Sequence, residues 1–199
     1  MNIIWHGHSC FEITGKDGTI VFDPYQANSV PGLNSLKLKA NLVLCSHEHD
    51  DHNARNCVEI APKDFKVTCI ETYHDHHQGS HRGKNTIHIV DFENLKVVHM
   101  GDIGCMMDDV SKLKNCDVLM IPIGGYYTID TKEALKYIER IQPRIVIPMH
   151  YHSHEFGYDV LSTNEEFIQQ SSSVTYVDDY LEVHKETKGQ TIVFKKPRN

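Results

Sequence analysis

The segment Ser46-His47-Glu48-His49-Asp50-Asp51-His52 follows directly on the apolar run Leu42-Val43-Leu44-Cys45. Imidazoles and carboxylates are the ligands that zinc, manganese and iron accept. Side chains this close in sequence converge only if the backbone turns tightly, and a strand ending in a loop supplies that turn. His47 and His49 are two apart, which in extended chain aims both to one face. Asp51 and His52 come after the bend and can reach a second ion beside the first. An ordinary polar loop draws on Gly, Asn, Ser and Pro rather than on repeated His. The segment therefore reads as a metal site fed by a buried strand.

Other short apolar runs must bring any further ligands. Ile3 to Trp5, Cys10 to Ile13, Thr19 to Phe22, Leu42 to Cys45, Val67 to Tyr73, Thr86 to Val90, Leu95 to His99, Val118 to Ile121 and Ile145 to Ile147 have strand length and β-branching. Gly15-Lys16-Asp17-Gly18 and Asp91-Phe92-Glu93-Asn94 read as hairpin turns. A helix is expected from Thr131 to Ile141, with Ala134, Leu135, Ile138 and Ile141 on one face, Asp130 as cap and Pro143 as stop. A second is expected where Ser162 precedes Glu165, leading into Phe167 and Ile168. Two more are expected at Ala54 to Ile60 and Asp108 to Leu113, and the tail returns to strands at 174–176, 181–183 and 191–194. Strands in two groups, each followed by helices, suit two packed sheets with helices outside, a layered α/β arrangement.

A chain of 199 residues that is 40% hydrophobic is long enough for one domain, 1–199, with a sizeable core. The net charge of −7 argues against a nucleic-acid or anionic-membrane partner bound through a broad basic surface. Cys10, Cys45, Cys57, Cys69, Cys105 and Cys116 are scattered without a Cys-x-x-Cys pair, which favours reduced thiols in a cytoplasmic protein. The N-terminus carries no basic leader, and no segment has the length of a membrane span.

His-x-His-x-Asp-His after an apolar strand resembles the central motif of the metallo-β-lactamase fold superfamily, and further landmarks fall in order along nearly the whole chain. Asp23 closes the strand Thr19-Ile20-Val21-Phe22 and resembles the first motif. His74, after Val67 to Tyr73, resembles the third, Asp102 after Gly101 the fourth, and His150 after Ile145 to Met149 the last. His6-Gly7-His8-Ser9, Arg82-Gly83-Lys84-Asn85-Thr86, Pro122-Ile123-Gly124-Gly125 and Pro148-Met149-His150-Tyr151 are most similar to the small stand-alone hydrolases related to ascorbate-phosphate lactonase.

That resemblance implies a four-layer αββα sandwich, two mixed sheets with helices outside and a metal site at one edge between them. It makes His47, His49 and His74 ligands of one ion, Asp51, His52 and His150 ligands of a second, and Asp102 a carboxylate touching both. The implied cofactors are two divalent ions, zinc first, with manganese and iron open. The implied function is a metal-dependent hydrolase of a small-molecule ester, lactone, amide or phosphodiester, attacked by metal-bridging hydroxide formed from a water whose pKa falls from about 16 toward 7. Asp51 and His150 are its catalytic candidates, Asp51 by accepting a proton from the attacking water.

Several positions keep competitors. His76, His77 and His81 crowd the loop of His74, and His152 and His154 lie near His150. Asp23 and His8 are expected behind the ligands, Asp23 accepting a hydrogen bond that orients one of them. His6 and His8 also fit a structural role, as do His88 and His184, and His99 fits a hydrogen-bonded core residue. Arg82 and Lys84 suit a phosphate or carboxylate on a small-molecule substrate, and Gly124 and Gly125 suit close backbone approach with Tyr126 or Tyr127 as a wall. The alternatives are a nuclease of the same superfamily, against which the acidic balance counts, diiron oxygen chemistry, whose practitioners carry Glu in place of His49, and a metal-bound protein without turnover. Oligomeric state is not legible.

Overall fold

The computed structural model describes residues 1–198. In chain order its first strands are β1 (Asn2–Gly7), β2 (Cys10–Gly15), β3 (Gly18–Phe22), β4 (Leu38–Ala40), β5 (Leu42–Leu44) and β6 (Val58–Ile60). The later strands are β7 (Val67–Tyr73), β8 (Lys84–Phe92), β9 (Leu95–His99), β10 (Val118–Pro122), β11 (Ile145–Met149), β12 (Val174–Val177), β13 (Tyr180–Glu182) and β14 (Gln190–Phe194). Two α-helices, α1 (Thr131–Ile141) and α2 (Glu165–Gln170), fall within the second half.

The strands form a five-stranded sheet of order β13-β1-β2-β3-β5 and a seven-stranded sheet of order β12-β14-β11-β10-β9-β8-β7, with a small β4-β6 ladder beside them. β1 and β2 are antiparallel, as are β2 and β3, while β3 and β5 are parallel, so β1, β3 and β5 run the same way. By the same step through β8, β7 runs with β9, β10 and β11. Each sheet thus presents the C-terminal ends of several strands at one edge. The mixed-sheet sandwich expected from the sequence is the observed one.

The main core lies between the sheets. Phe11, Ile13, Ile20 and Phe22 alternate along β2 and β3 to face it, while Cys10 and Val21 point the other way into a smaller cluster with Tyr25, Val30, Ala40 and Val58. That cluster is roofed by β4-β6 and the loops around them, so the outer layer over the five-stranded sheet is built without an α-helix among the described residues. β10 and β11 are buried along their whole length, as their unbroken apolar runs require of strands covered on both faces. Trp5 anchors one end of the core, 5.9 Å from the Tyr151 ring and 5.3 Å, edge-on, from Phe156.

α1 begins in a full capping box: Asp130 Oδ1 accepts the Glu133 N–H at 2.9 Å, and Glu133 Oε2 accepts the Asp130 N–H at 3.2 Å. Its buried face centres on Ala134, Tyr137 and Ile141, with Leu135 and Ile138 at the flanks. Tyr137 matters most, because its hydroxyl donates to Cys105 O and accepts the Met107 N–H, tying α1 to the loop after Asp102.

Three expected helical features differ. Residues 54–60 form one 3-10 turn, Arg55–Cys57, and then β6, because Val58 to Ile60 pair with Leu38 to Ala40. Residues 108–113 are turns: Arg140 takes the carbonyls of Met107 and Asp108, and the Asp109 carboxylate accepts the Ser111 N–H, a local bond that competes with helix. α2 starts at Glu165 after Asn164, without a side-chain cap, and Ser162 stands two residues before that cap position with its N–H bonded to Gly124 O. No helix among the described residues is long and apolar enough to cross a membrane.

Candidate metal centre

The strand ends supply the site one residue at a time. His8 follows β1, Asp23 follows β3, the loop 45–52 follows β5, His74 follows β7, Asp102 lies three residues past the end of β9, and His150 follows β11. His8 (φ 53°), Asp23 (φ 42°) and His150 (φ 53°) have left-handed backbone, which turns the chain sharply at the end of each strand. Gly101 also has φ 55°, and a Cβ there would lie 2.4 Å from Ser46 Cβ and 2.3 Å from Asn85 Oδ1, so only glycine fits between them. This packing, rather than approach to a metal, explains the Gly101-Asp102 step.

Asp102 Oδ2 is the focus. It lies 2.9 Å from His150 Nε2, 3.1 Å from His52 Nε2, 3.3 Å from His74 Nε2 and 4.0 Å from His47 Nε2. Three of these rings are fixed through the opposite nitrogen. His52 Nδ1 donates to Asp23 Oδ2 at 2.9 Å, and His74 Nδ1 donates to Tyr127 O at 3.1 Å. Ser46 Oγ gives its proton to Asp23 Oδ2, so it accepts from His47 Nδ1 at 2.9 Å. Each ring then presents Nε2 to the interior, the arrangement by which second partners orient metal-binding imidazoles.

The donor set fits a divalent cation. The Nε2 atoms of His8, His47 and His52 are buried without an aligned hydrogen bond, the carboxylate oxygens near them lying off the N–H direction, although buried polar atoms are ordinarily satisfied. Donor atoms of His47, His49 and His74 lie within 4.8 Å of one another, as do those of His8, Asp51, His52 and His150, and those of His47, His52 and Asp102. All seven sequence-derived ligands are in this cluster, His49 being the exposed one. His76, His77, His81, His152 and His154 belong to none of these groups; His76 pairs instead with Glu133 at 2.8 Å.

The electrostatics follow from burial and opposing charges. Burial pushes the Asp102 carboxyl up, but His150 and His52 outweigh it and hold it well below the usual range. Asp23 and Asp51 are depressed in the same way, each chiefly by His52. Burial drives His47 down to about 3 and His8 to about 4, whereas His52 is raised because Asp102, Asp51 and Asp23 together overcome its burial.

Among the residues around the site, Asn85, Ser9 and Asp75 had no role of their own assigned from sequence. Asn85 accepts the Asp102 N–H at 2.8 Å and donates to Thr72 Oγ1 and Met100 O. Ser9 Oγ reaches Asp102 Oδ1 at 3.5 Å, and His99, stacked on Phe22 at 5.0 Å, donates to Ser9 O and accepts the Gly101 N–H. His88 binds Cys45 O at the end of β5, His6 turns away to Glu12, and His184 is exposed beside Glu182. Asp75 accepts the N–H groups of His77, Gly79, His81 and Arg82. Burial raises its carboxyl, and those four donors bring it down to about 2. This ring of bonds shapes the loop that delivers Arg82.

A cleft of about 290 Å³ opens onto the cluster, lined by His49, Asp51, His74, Arg82, Asp102, Tyr127, His150 and Tyr158. A larger one of about 590 Å³, around Tyr25, Leu36 and Val58, lies across the five-stranded sheet and contains none of these residues. The Arg82 guanidinium sits 5.2 Å from the Tyr127 ring centre with no carboxylate partner among the described residues. Lys84 is exposed, 3.2 Å from Glu71, and does not line the cleft. Tyr127 is the wall, while Tyr126 is 65% exposed. Tyr158 donates to Ser29 O at 2.7 Å and stands 3.3 Å from Asp51 Oδ2. A Cβ on Gly124 would lie 2.1 Å from His150 O, so this glycine lets the backbone pass behind His150.

This sandwich, with the candidate donors at the C-terminal strand ends of both sheets, is the architecture of the metallo-β-lactamase fold. A profile described as the beta-lactamase superfamily domain matches residues 2–150, and the chain belongs to that superfamily. A metal-dependent hydrolase of Natranaerobius thermophilus is 30% identical over 189 residues, which cover 77% of this chain and 84% of that protein. One of Thermoplasma acidophilum is 29% identical over 191 residues with the same two coverages, 77% and 84%. A crystal structure from Thermotoga maritima, of a candidate Zn-dependent hydrolase of the metallo-β-lactamase superfamily, superposes with a TM-score of 0.78 at 28% identity over 97% of each chain.

Proposed function

We propose that this protein is a dinuclear metal-dependent hydrolase of a small anionic ester, lactone, amide or phosphodiester. The observation that carries the reading is the convergence of four imidazole Nε2 atoms within 4.0 Å of one Asp102 oxygen. His47, His49 and His74 would hold one ion, Asp51, His52 and His150 the other, and Asp102 both. Bound divalent ions, zinc by ligand type, would supply a hydroxide-strength nucleophile at neutral pH and a counter-charge for the developing oxyanion.

The chain's own groups do the rest. Asp51 is held ionised well below neutral pH, which makes it a weak base but a steady hydrogen-bond acceptor for an attacking water. Burial, then Asp51, pushes the Tyr158 phenol up, so its hydroxyl stays a donor throughout the neutral range. Arg82, held against Tyr127 and lacking a carboxylate partner, supplies a planar fork for a carboxylate or phosphate at the cleft wall. A cleft of about 290 Å³ favours a compact substrate over a polymer.

The test combines metal analysis with a panel of lactones, phosphodiesters and phosphorylated sugars. Activity should vanish on full removal of metal, return with zinc, and be absent from Asp102→Asn. Turnover that survives demetallation, or a chain that binds no divalent ion at saturating supply, would overturn the reading.

A further inference from the structure

The two donor groups of the cleft are unequal. His47, His49 and His74 form a group of three that includes the exposed His49, whereas His8, Asp51, His52 and His150 form a group of four with three members buried. His8 makes the difference. Its ring is fully shielded from solvent, yet neither of its nitrogens makes an aligned hydrogen bond.

The chain holds that ring in place with some care. His8 has left-handed backbone, and its carbonyl accepts the Trp5 indole N–H at 3.2 Å and the His150 N–H at 3.4 Å. Trp5 is itself locked in the aromatic end of the core. The His8 ring therefore stands 4.2 Å from that of His150, with Nε2 3.3 Å from Asp51 Oδ2. His52 Nε2 is 3.6 Å from the same oxygen. Around a tetrahedral ion with bonds of about 2.0–2.1 Å, neighbouring donors are separated by about 3.3–3.4 Å. Both distances are close to that edge.

We propose that His8 is a direct ligand of the ion bound by Asp51, His52 and His150, and that this more buried group, with its additional donor, retains its ion more tightly than the group of His47, His49 and His74. The inference rests on the dinuclear reading above. Asp102 serves both ions, so His8 gives this group one donor more than the other and leaves fewer positions for water or substrate. The ion at His49, on the cleft wall, is then the one that exchanges first and meets the substrate.

The experiment dialyses zinc-loaded protein against a graded series of competing chelator and measures residual zinc per chain. The wild type should release its ions in two steps. His8→Asn keeps a residue that accepts left-handed backbone but removes the ring nitrogen. It should weaken the tighter step by about a hundredfold or more and leave the other unchanged, whereas His49→Ala should abolish only the weaker step. Because loss of an outer partner typically weakens binding about 10- to 100-fold, a smaller effect overturns the assignment. In the wild type, the ring nitrogens of His8 should shift into the metal-bound range on the first equivalent of zinc, a readout that needs no variant to fold. If they do not shift while the protein binds two ions and turns over substrate, this inference alone fails. A wild type that binds no zinc removes the dinuclear reading itself.

Discussion

Replacing Asp23 with asparagine isolates the carboxylate that fixes the loop of candidate metal donors. Asp23 is fully buried and accepts hydrogen bonds from Ser46 N–H at 2.6 Å, Ser46 Oγ at 2.6 Å and His52 Nδ1 at 2.9 Å. All three partners donate, and an ionised carboxylate only accepts. Asparagine keeps one acceptor oxygen and turns an NH2 group toward a donor, so at least one bond is lost. A bond to a charged group contributes about 1.5–3 kcal/mol, and the orphaned donor costs about 1–3 kcal/mol more. The sum, about 2.5–6 kcal/mol, overlaps the ~3–5 kcal/mol expected when a buried ion pair loses one member. The pH dependence has a defined sign. Burial raises the Asp23 carboxyl, while His52, His99 and His47 outweigh it and leave the group well below its ordinary value. Its stabilisation is therefore complete above about pH 4, the unfolded value, and is lost as pH falls toward the folded one. Urea unfolding of the metal-free protein at pH 7 and at acid pH reads both quantities, with Asp23→Asn lacking the acid-sensitive contribution. Zinc affinity should fall about 10- to 100-fold in parallel, because His52 loses its orienting partner. A stability loss below about 1 kcal/mol at pH 7, with zinc affinity unchanged, would refute the role assigned to Asp23.

Arg82→Ala should raise KM for substrates bearing a carboxylate or phosphate by about tenfold or more with little change in kcat, and equal loss on neutral analogues would remove Arg82 from substrate binding. Gly124→Ala places a Cβ 2.1 Å from His150 O and should destabilise the protein by about 1–3 kcal/mol, read as a fall in Tm of about 2–4 °C per kcal/mol. An unchanged melt would mean that the backbone behind His150 yields freely. Asp130→Ala removes the side-chain half of the α1 capping box and should lower stability by about 1 kcal/mol, measured by urea unfolding, with no loss of bound zinc.

What the sequence made legible is what short-range pattern encodes. Apolar runs ending in His or Asp marked the strand ends at Asp23, His47, His74, Asp102 and His150, and alternation along β2 and β3 separated the two faces of their sheet. The failures have a common physical cause, a contact distant in sequence that outweighs a local preference. Val58 to Ile60 became a strand because Leu38 to Ala40 lay alongside, and residues 108–113 stayed open because Arg140 captured the carbonyls of Met107 and Asp108. Asn85 stood in the stretch Arg82-Gly83-Lys84-Asn85-Thr86 without a role of its own. Its role exists only once β7 and β8 set Thr72 opposite it and β9 delivers the Asp102 N–H to its side chain. Asp75 had a weaker signal, an acid directly beside a ligand histidine at the head of a glycine-containing loop.

The site also explains why three non-glycine residues sit in left-handed backbone. A strand's side chains alternate between its two faces, so a residue that merely continued β1, β3 or β11 would be directed into the core or outward. A left-handed step at the strand's end departs from that alternation, and His8, Asp23 and His150 all take it. Such conformations cost on the order of 1–3 kcal/mol each and persist only where the surroundings enforce them. Here the enforcement is visible in the Trp5 and His150 bonds to His8 O, the Ser46 and His52 bonds to Asp23, and the close passage of Gly124 behind His150. Histidine and aspartate are enriched in the left-handed region, and both can bind metal. The same residue types therefore satisfy the turn and the chemistry. Asparagine shares the backbone tolerance, so at His8 it would take away the ring nitrogen without forbidding the turn, whereas at Asp23 it would also lose one of the bonds that enforce it.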